Sequence, residues 1–234
     1  MEDTLVRCKA IYRLYRRKFR STANYVKNNK PAFYWSILSA TTLMISTCLL
    51  LLVTFFAVRI GIIGNVPSSS DLNDIRNYEA SQALDTSGKT LGKYYIQNRL
   101  NADFEEINEH TIQALVSTED SRFYKHQGID YRSWLRVFFK SILLNDKSSG
   151  GGSTISQQLA KNLYPRQDYP ILGIIINKFR EFIIARRLEK IYAKNDILKL
   201  YLNTVPFSEN IYGIKVAAQR FYNKAPKYLK MDEA

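Results

Sequence analysis

Three short blocks in this 234-residue chain hold side chains whose types and spacing can do chemistry. The first is Glu119-Asp120-Ser121-Arg122-Phe123-Tyr124-Lys125-His126-Gln127-Gly128. It sets two adjacent carboxylates at the expected end of a helix, then aromatics, a histidine and a glycine turn. A glutamate shielded by Phe123 and Tyr124 can act as a general base; a solvated acidic pair is the commoner use of such residues. The second block is Gly150-Gly151-Gly152-Ser153-Thr154-Ile155-Ser156-Gln157-Gln158-Leu159-Ala160-Lys161-Asn162. Its glycines permit close backbone approach, Ser153 or Thr154 can cap the helix that follows, and the free N–H groups there favour an anion. Gln157 and Lys161 are four residues apart and Gln158 and Lys161 three, so one helix face can present amides beside an ammonium. That is a candidate diphosphate cradle but not a P-loop, because no G-K-[ST] stands at the required spacing. The ordinary alternative is a flexible linker and a capped helix. The third block, Lys178-Phe179-Arg180-Glu181, puts Lys178 and Glu181 on one helix face. As a surface ion pair it is worth a fraction of a kcal/mol; as a site it offers cations and a carboxylate to a metal-bridged diphosphate.

The elements that must position these blocks are mainly helical. Apolar spacing predicts helices over Phe104–Glu119, Tyr131–Leu144, Thr154–Leu163, Leu172–Tyr192, Asn195–Asn203 and Ile211–Phe221. Short strand-like pieces are expected between Ala80 and Asn98, around the turn signal Asp85-Thr86-Ser87-Gly88-Lys89. Ser148-Ser149-Gly150-Gly151-Gly152 is the sharpest break, and no internal repeat is evident. The helix from Tyr131 mixes Arg132, Arg136 and Lys140 with Trp134, Leu135, Phe138, Phe139, Ile142 and Leu143. It reads either as a core helix with a solvated basic face or as a helix resting on a bilayer surface.

Charge and hydropathy divide the chain. Net charge is +13, and residues 1–30 hold nine Lys or Arg against Glu2 and Asp3. Residues 131–194 hold twelve basic side chains against four acidic ones, which suits a polyanionic ligand or an anionic membrane surface. From Pro31 to Val58 there are 28 residues without a charge, bracketed by Lys30 and Arg59. A span needs about 20 apolar residues, and Phe33, Tyr34 and Trp35 stand where an interfacial aromatic belt is expected. The run is too long for a signal-peptide core and no A-x-A-like cleavage site follows. The positive-inside rule then places residues 1–30 in the cytoplasm and the chain after about residue 60 outside. This membrane topology argues against nucleic acid as the polyanion. The cysteines, Cys8 and Cys48, lie in the tail and the apolar run, so a disulfide framework and thiolate metal sites are excluded from the rest. The expected organisation is a basic cytoplasmic tail at 1–30, a transmembrane anchor at 31–60, a linker at 61–76 around Pro67-Ser68-Ser69-Ser70-Asp71, and a domain at 77–234.

Taken in order, the E-D-x-x-F-x-x-H-x-G, G-G-S-T-x-x-Q-Q-x-x-K-N and K-x-x-E blocks resemble the motifs of family 51 glycosyltransferases, the peptidoglycan transglycosylases. They are found either as monofunctional enzymes or as the N-terminal part of class A penicillin-binding proteins. The run Lys194 to Asn203, followed by Tyr212-Gly213-Ile214 and Ala217-Ala218, resembles the family's next motif. The resemblance covers roughly residues 77–234. It implies a mainly α, lysozyme-like glycosyltransferase domain behind one transmembrane helix. It also implies the reaction: the 4-hydroxyl of lipid II attacks the anomeric carbon of a chain carried on undecaprenyl diphosphate, with inversion, at the outer face of the cytoplasmic membrane. Glu119 matches the catalytic base. Glu181 matches the second catalytic carboxylate, at a position implicated with Mg or Mn. Lys161, Lys178 and Arg180 match positions that meet the diphosphate, with Gln158 alongside. Asp120, His126, Ser153, Thr154, Gln157 and Asn162 complete the implied substrate-binding set. Partner proteins of cell-wall synthesis are a further expectation.

Two departures stand out. The family commonly reads R-K-x-x-E where this chain has Asn177, which removes one cation, and Arg166 in the unusual stretch Tyr164–Leu172 is a candidate replacement. The chain also stops at Met231-Asp232-Glu233-Ala234, where the family normally begins another helix, so the domain reads as truncated. These departures keep open a catalytically impaired, membrane-anchored protein that binds precursor or partners without turnover. A lytic muramidase is disfavoured by the basic cradle and the missing leaving-group acid. A transpeptidase domain would have to follow residue 234, because no Ser-x-x-Lys of that type is present.

Overall fold

A computed structural model describes residues 12–13, 16–18, 21, 24–75, 77–88, 90–143 and 151–234. Cys8, most of the basic tail, Leu144 and the Ser148–Gly150 part of the glycine-rich break lie outside the described residues, as do the side chains of Phe138, Phe139, Lys140, Ile142 and Leu143. The chain forms two units, Met1–Phe56 and Ala57–Ala234.

The apolar run folds as helix α1 (Pro31–Arg59), whose one charge is Arg59 in its last turn. At about 1.5 Å per residue its 29 residues reach roughly 44 Å, more than the ~30 Å hydrocarbon core. Its hydroxyls would be costly in lipid if unpaired. Ser36, Ser39, Thr41, Thr42, Ser46 and Thr47 each donate to a carbonyl three or four residues back, at 2.8–2.9 Å.

The second unit is built on helices α2 (Ser69–Asn73), α3 (Glu109–Glu119), α4 (Tyr131–Leu143), α5 (Ile155–Leu163), α6 (Gly173–Ile191), α7 (Lys194–Thr204) and α8 (Ile214–Tyr222). Helix α5 is the centre: it packs on both α6 and α7. Ile155, Leu159 and Ala160 are fully buried against Ile184, Leu188, Ile197 and Leu198. Burying each such side chain contributes about 1.5–3 kcal/mol.

The segment expected as a linker is part of this unit. Ser68 and Asp71 form a capping box that starts α2, and Leu72 is completely buried in the core. The Tyr192 hydroxyl donates to the Leu72 carbonyl at 2.7 Å. Polar composition around Pro67 hid the apolar anchor Leu72, beside which Val66 and Ile75 also pack on the core. The predicted helix over Phe104–Glu119 is also two pieces, a 3-10 turn at Phe104–Glu106 and then α3, because Asn108 accepts from the His110 N–H and starts a new helix.

Two small sheets flank the helices. Strands β1 (Ser81–Leu84) and β2 (Thr90–Tyr94) form an antiparallel hairpin across the expected turn. Strand β3 (Asn98–Arg99) pairs in parallel with β5 (Ile211–Tyr212), which pairs antiparallel with β4 (Pro206–Ser208). The helix predicted from Ile211 therefore starts at Ile214, after Gly213. Gly213 has φ +81°, and a Cβ there would stand 3.0 Å from the Asn203 carbonyl oxygen, so a side chain would be strained twice over. Asn203 clamps the Ala102 backbone in return, accepting from its N–H and donating to its C=O, both at 2.9 Å.

Helix α4 begins on Asp130, which is 4% exposed. One carboxylate oxygen accepts from the Arg132 and Ser133 N–H groups, and the other accepts from the Ser133 hydroxyl and the Arg122 guanidinium at 2.8 Å. Burial alone would push this carboxyl up, but the Ser133 and Arg132 hydrogen bonds and the Arg122 charge outweigh it and hold it below the ordinary 3.8. The ionised form therefore favours the folded state, fully so above pH ~4, and the contribution fades as pH falls through the lowered value. Asp130→Asn should cost about 0.5–2 kcal/mol at neutral pH and flatten the loss of melting temperature between pH 5 and 3. Parallel acid profiles for the two proteins would refute this role.

Candidate active site

Glu119 and Asp120 are neighbours in sequence with opposite surroundings. Glu119 closes α3 and its side chain is exposed; Asp120 is 7% exposed and has left the helix. The Asp120 carboxylate accepts from His126 Nε2 at 3.0 Å and from the Ile155 N–H at 3.1 Å. It thus occupies the positive end of α5, where an anion is favoured. Thr154 caps the same helix, accepting from the Gln157 N–H at 3.2 Å, while its hydroxyl donates to the Gly128 carbonyl at 2.7 Å. Gln157 turns back to the Thr154 N–H in a capping box and is 1% exposed. The Ile155 and Gln157 N–H groups at this helix start thus bond within the protein itself.

A chain of buried contacts closes these groups into a ring. Ser156 on α5 donates to Glu189 on α6 at 2.6 Å, and Glu189 pairs with Lys194 at 2.8 Å. Lys194 donates to the His126 carbonyl at 2.8 Å and lies 4.2 Å from the centre of the Phe123 ring. His126 returns to Asp120, and Asp120 to α5. Gly128 has φ +85°, and a Cβ there would meet the Ala185 carbonyl oxygen at 2.9 Å, which explains the glycine after the histidine. Phe123 is fully buried in the core rather than laid over Glu119, and Tyr124 is exposed. The shielding expected from these two rings is not what holds Glu119.

Gln158 and Tyr201 hold it instead. Gln158 Nε2 donates to the Glu119 carboxylate at 2.6 Å, and Gln158 Oε1 accepts from the Tyr201 hydroxyl at 2.9 Å. Burial, and next the negative charge of Glu119, push the Tyr201 phenol up to about 12. Tyr201 therefore stays protonated at any working pH. The Glu119 carboxylate can only accept, so it fixes which way round the Gln158 amide sits: the NH₂ faces Glu119 and the oxygen is left to accept from Tyr201.

Two cavities meet at Gln158. One, of about 630 Å³, is lined by Glu119, Ser121, Ser133, Arg136 and Gly152 among others. The other, of about 370 Å³, is lined by Lys161, Asn162, Arg166, Lys178 and Glu181. Gly151, Ser153 and Gln158 border both. Glu181 is nearly buried, and its two oxygens are engaged by Lys178 at 2.8 Å and Arg166 at 2.9 Å. Lys178 also donates to the Ser153 hydroxyl at 2.9 Å. The second cavity thus gathers three cationic side chains around one carboxylate. Arg180, expected to face the diphosphate, is 4% exposed and points elsewhere, donating to the Asn65 and Pro165 carbonyls and to Asn177.

The model of the family described as Transglycosylase matches residues 87–234. The chain belongs to this transglycosylase family. Three relatives fix the neighbourhood. Over 188 residues it is 35% identical to penicillin-binding protein 1F of Bacillus subtilis, covering 79% of this chain and 26% of the relative. Over 187 residues it is 34% identical to penicillin-binding protein 1A of Aquifex aeolicus, covering 79% and 25%. Over 120 residues it is 40% identical to a biosynthetic peptidoglycan transglycosylase of Nitrosomonas eutropha, covering 51% and 47%. The chain spans about a quarter of the length of the penicillin-binding relatives and under half of the third.

Within this transglycosylase domain, the first block supplies a cavity carboxylate and a buried latch, the second a cap, the residues that border both cavities and Lys161, and the third Lys178 and Glu181 of the cationic wall. The sequence alone did not single out Tyr201. Its signal was weak: a tyrosine at an apolar position of the Lys194–Asn203 run reads as core until Gln158 is seen opposite. Tyr201→Phe should leave the fold intact and lower kcat about tenfold, the worth of one hydrogen bond to a group paired with a charge. An unchanged kcat would dismiss the tyrosine's bracing role.

Proposed function

We propose that the chain is a membrane-anchored peptidoglycan glycosyltransferase that extends glycan strands from lipid II. The observation that carries this reading is the pairing of Glu119 with a cationic cavity across a shared Gln158. A sugar leaving from a diphosphate needs little acid assistance, because diphosphate already carries the departing electrons well. The acceptor needs a base more. In the proposed step the acceptor's 4-oxygen forms a bond to the anomeric carbon as the bond from that carbon to the diphosphate oxygen breaks. The hydroxyl proton passes to Glu119, and the diphosphate leaves with the bonding pair. Lys161, Lys178 and Arg166 meet the charge that develops on it.

The divalent metal implied by the family resemblance has one candidate protein ligand here. Among the described residues no three His, Cys, Asp or Glu side chains converge. Mg²⁺ is commonly held by one or two carboxylates plus substrate phosphates, so Glu181, the carboxylate of the cationic cavity, fits a bridging role. When bound, such an ion would add positive charge beside the leaving diphosphate.

The same reading sets the domain outside the cytoplasmic membrane, with the basic tail inside. On α4, Tyr131, Trp134 and Leu135 are exposed beside Arg132 and Arg136. A basic helix with exposed aromatic and aliphatic groups suits an anionic lipid surface. Residues 57–234 without α1 should sediment with anionic vesicles, and Trp134→Glu with Leu135→Glu should release them. A domain that ignores such vesicles would remove α4 as a membrane-contacting helix.

The decisive assay is polymer formation from labelled lipid II by the detergent-solubilised chain, with and without Mg²⁺. Glu119→Gln should lower the rate by about 10²–10⁴-fold while melting at the wild-type temperature. Near wild-type polymerisation by that variant would exclude Glu119 as the base. Precursor binding without polymer would favour a non-catalytic binding protein, the reading that Asn177 keeps in play.

A further inference from the structure

Asn177 stands next to Lys178 on α6, yet it is not part of the cationic wall. It is 5% exposed and its amide is fully used. Its oxygen accepts from the Gln167 N–H at 3.0 Å and from Arg180 Nη1 at 3.1 Å. Its nitrogen donates to the Gln167 carbonyl at 2.8 Å and to the Gly173 carbonyl at 2.9 Å. An amide is the side chain that can both accept from a backbone N–H and donate to a backbone C=O, so it can seize a loop residue by both of its peptide groups.

The loop it seizes is the one that carries Arg166. Asn177 holds Gln167 on one side of Arg166, and Arg180 holds the Pro165 carbonyl on the other. Between these clamps the Arg166 side chain extends to Glu181 at 2.9 Å and lines the cationic cavity with Lys161 and Lys178. Arg166 is itself about half exposed, and among the described contacts Glu181 and the backbone anchorage keep the guanidinium there.

We propose that Asn177 is a positioning residue which, by pinning the loop at Gln167, delivers Arg166 as the third cation of the diphosphate-binding cavity. Arg166 touches the leaving group; Asn177 acts through it. The inference rests on the glycosyltransferase reading for its substrate, but its central test needs no turnover.

The probe is farnesyl diphosphate, titrated against the full chain in detergent micelles, with farnesyl monophosphate as comparison. Arg166→Ala should weaken diphosphate binding about tenfold, as loss of a charge-assisted contact does. It should also narrow the preference for diphosphate over monophosphate. Arg166→Lys, which keeps the charge but not the fork, should recover part of both. Asn177→Ala should weaken binding by a similar factor, and the double variant should bind no worse than Arg166→Ala alone. That non-additivity is what a residue acting only through Arg166 must show. Losses that multiply in the double variant would reduce Asn177 to general structural support and overturn the proposal. So would an Arg166→Ala chain that binds like the wild type. Should Asn177→Ala fail to fold, Asn177→Asp serves in its place: it keeps the acceptor for Gln167 and Arg180 and loses both donors. A wild-type chain that does not bind farnesyl diphosphate overturns the cavity and this inference together. One that binds it yet makes no polymer defeats the glycosyltransferase reading alone.

Discussion

The site depends on one closed circuit of polar contacts inside an apolar core. Asp120, His126, Lys194, Glu189 and Ser156 form it, and it returns to α5 through the Ile155 N–H. Glu189 and Asp120 are almost wholly buried. An isolated charge at either place would cost several kcal/mol of desolvation. Each is tolerable because each finds its opposite: a Lys194 ammonium for Glu189, an imidazole and a helix N-terminus for Asp120. The consequence is geometric. The circuit joins the end of α3, the start of α5, the end of α6 and the start of α7 in one place. Glu119 lies one residue before the circuit, and Gln158 two residues beyond Ser156. Whatever holds Asp120 to α5 therefore also holds Glu119 opposite Gln158.

The adjacent carboxylates show how a helix end divides labour. Residues one apart on a helix do not share a face, and the chain leaves the helix at Asp120. One carboxylate is driven into the core and the other into solvent. Buried Asp120 is fixed and fully hydrogen bonded; exposed Glu119 is held by one amide and has acceptor capacity left for a substrate hydroxyl. A residue meant to accept a proton from a ligand must be reachable, and one meant to anchor a helix must not be. The E-D pair meets both needs within a single turn of chain.

This division also explains what could be read from the sequence. The long helices were legible because their apolar spacing is strong: α5, α6 and α7 lie within a residue or two of their predicted ends. Strands β3, β4 and β5 were not, because two or three residues carry no period. The anchor of α2 was missed because Leu72 is a lone apolar residue among serines and aspartates. In the site, the motif letters marked which residues matter but not which way they face. Glu119, Gln158, Lys161, Lys178 and Glu181 line the paired cavities. Asp120 and Thr154 border the first cavity and Gln157 the second while also bracing α5, whereas His126 and Arg180 line neither. Nothing in the spacing of Gln157 and Gln158 tells which amide turns inward. That is decided by the capping box, which claims Gln157 because it stands three residues after Thr154.

The two cavities differ in how they treat charge, and the difference suits a reaction that moves electrons from one to the other. On the Glu119 side a single carboxylate meets a neutral amide, whose oxygen is braced from behind by the Tyr201 hydroxyl. Among the described contacts Glu119 has no ion-pair partner and is met by the Gln158 amide. On the other side the one carboxylate, Glu181, is bonded to two cations and faces a third. Under the proposed function an arriving diphosphate would take the place of Glu181 as the partner of Lys178 and Arg166. Until then Glu181 is the resident anion to which both cations are bonded. The sensitive feature of that wall is its outermost member: Lys178 is borne by a rigid helix, but Arg166 stands on a loop whose place depends on the side chains beneath it.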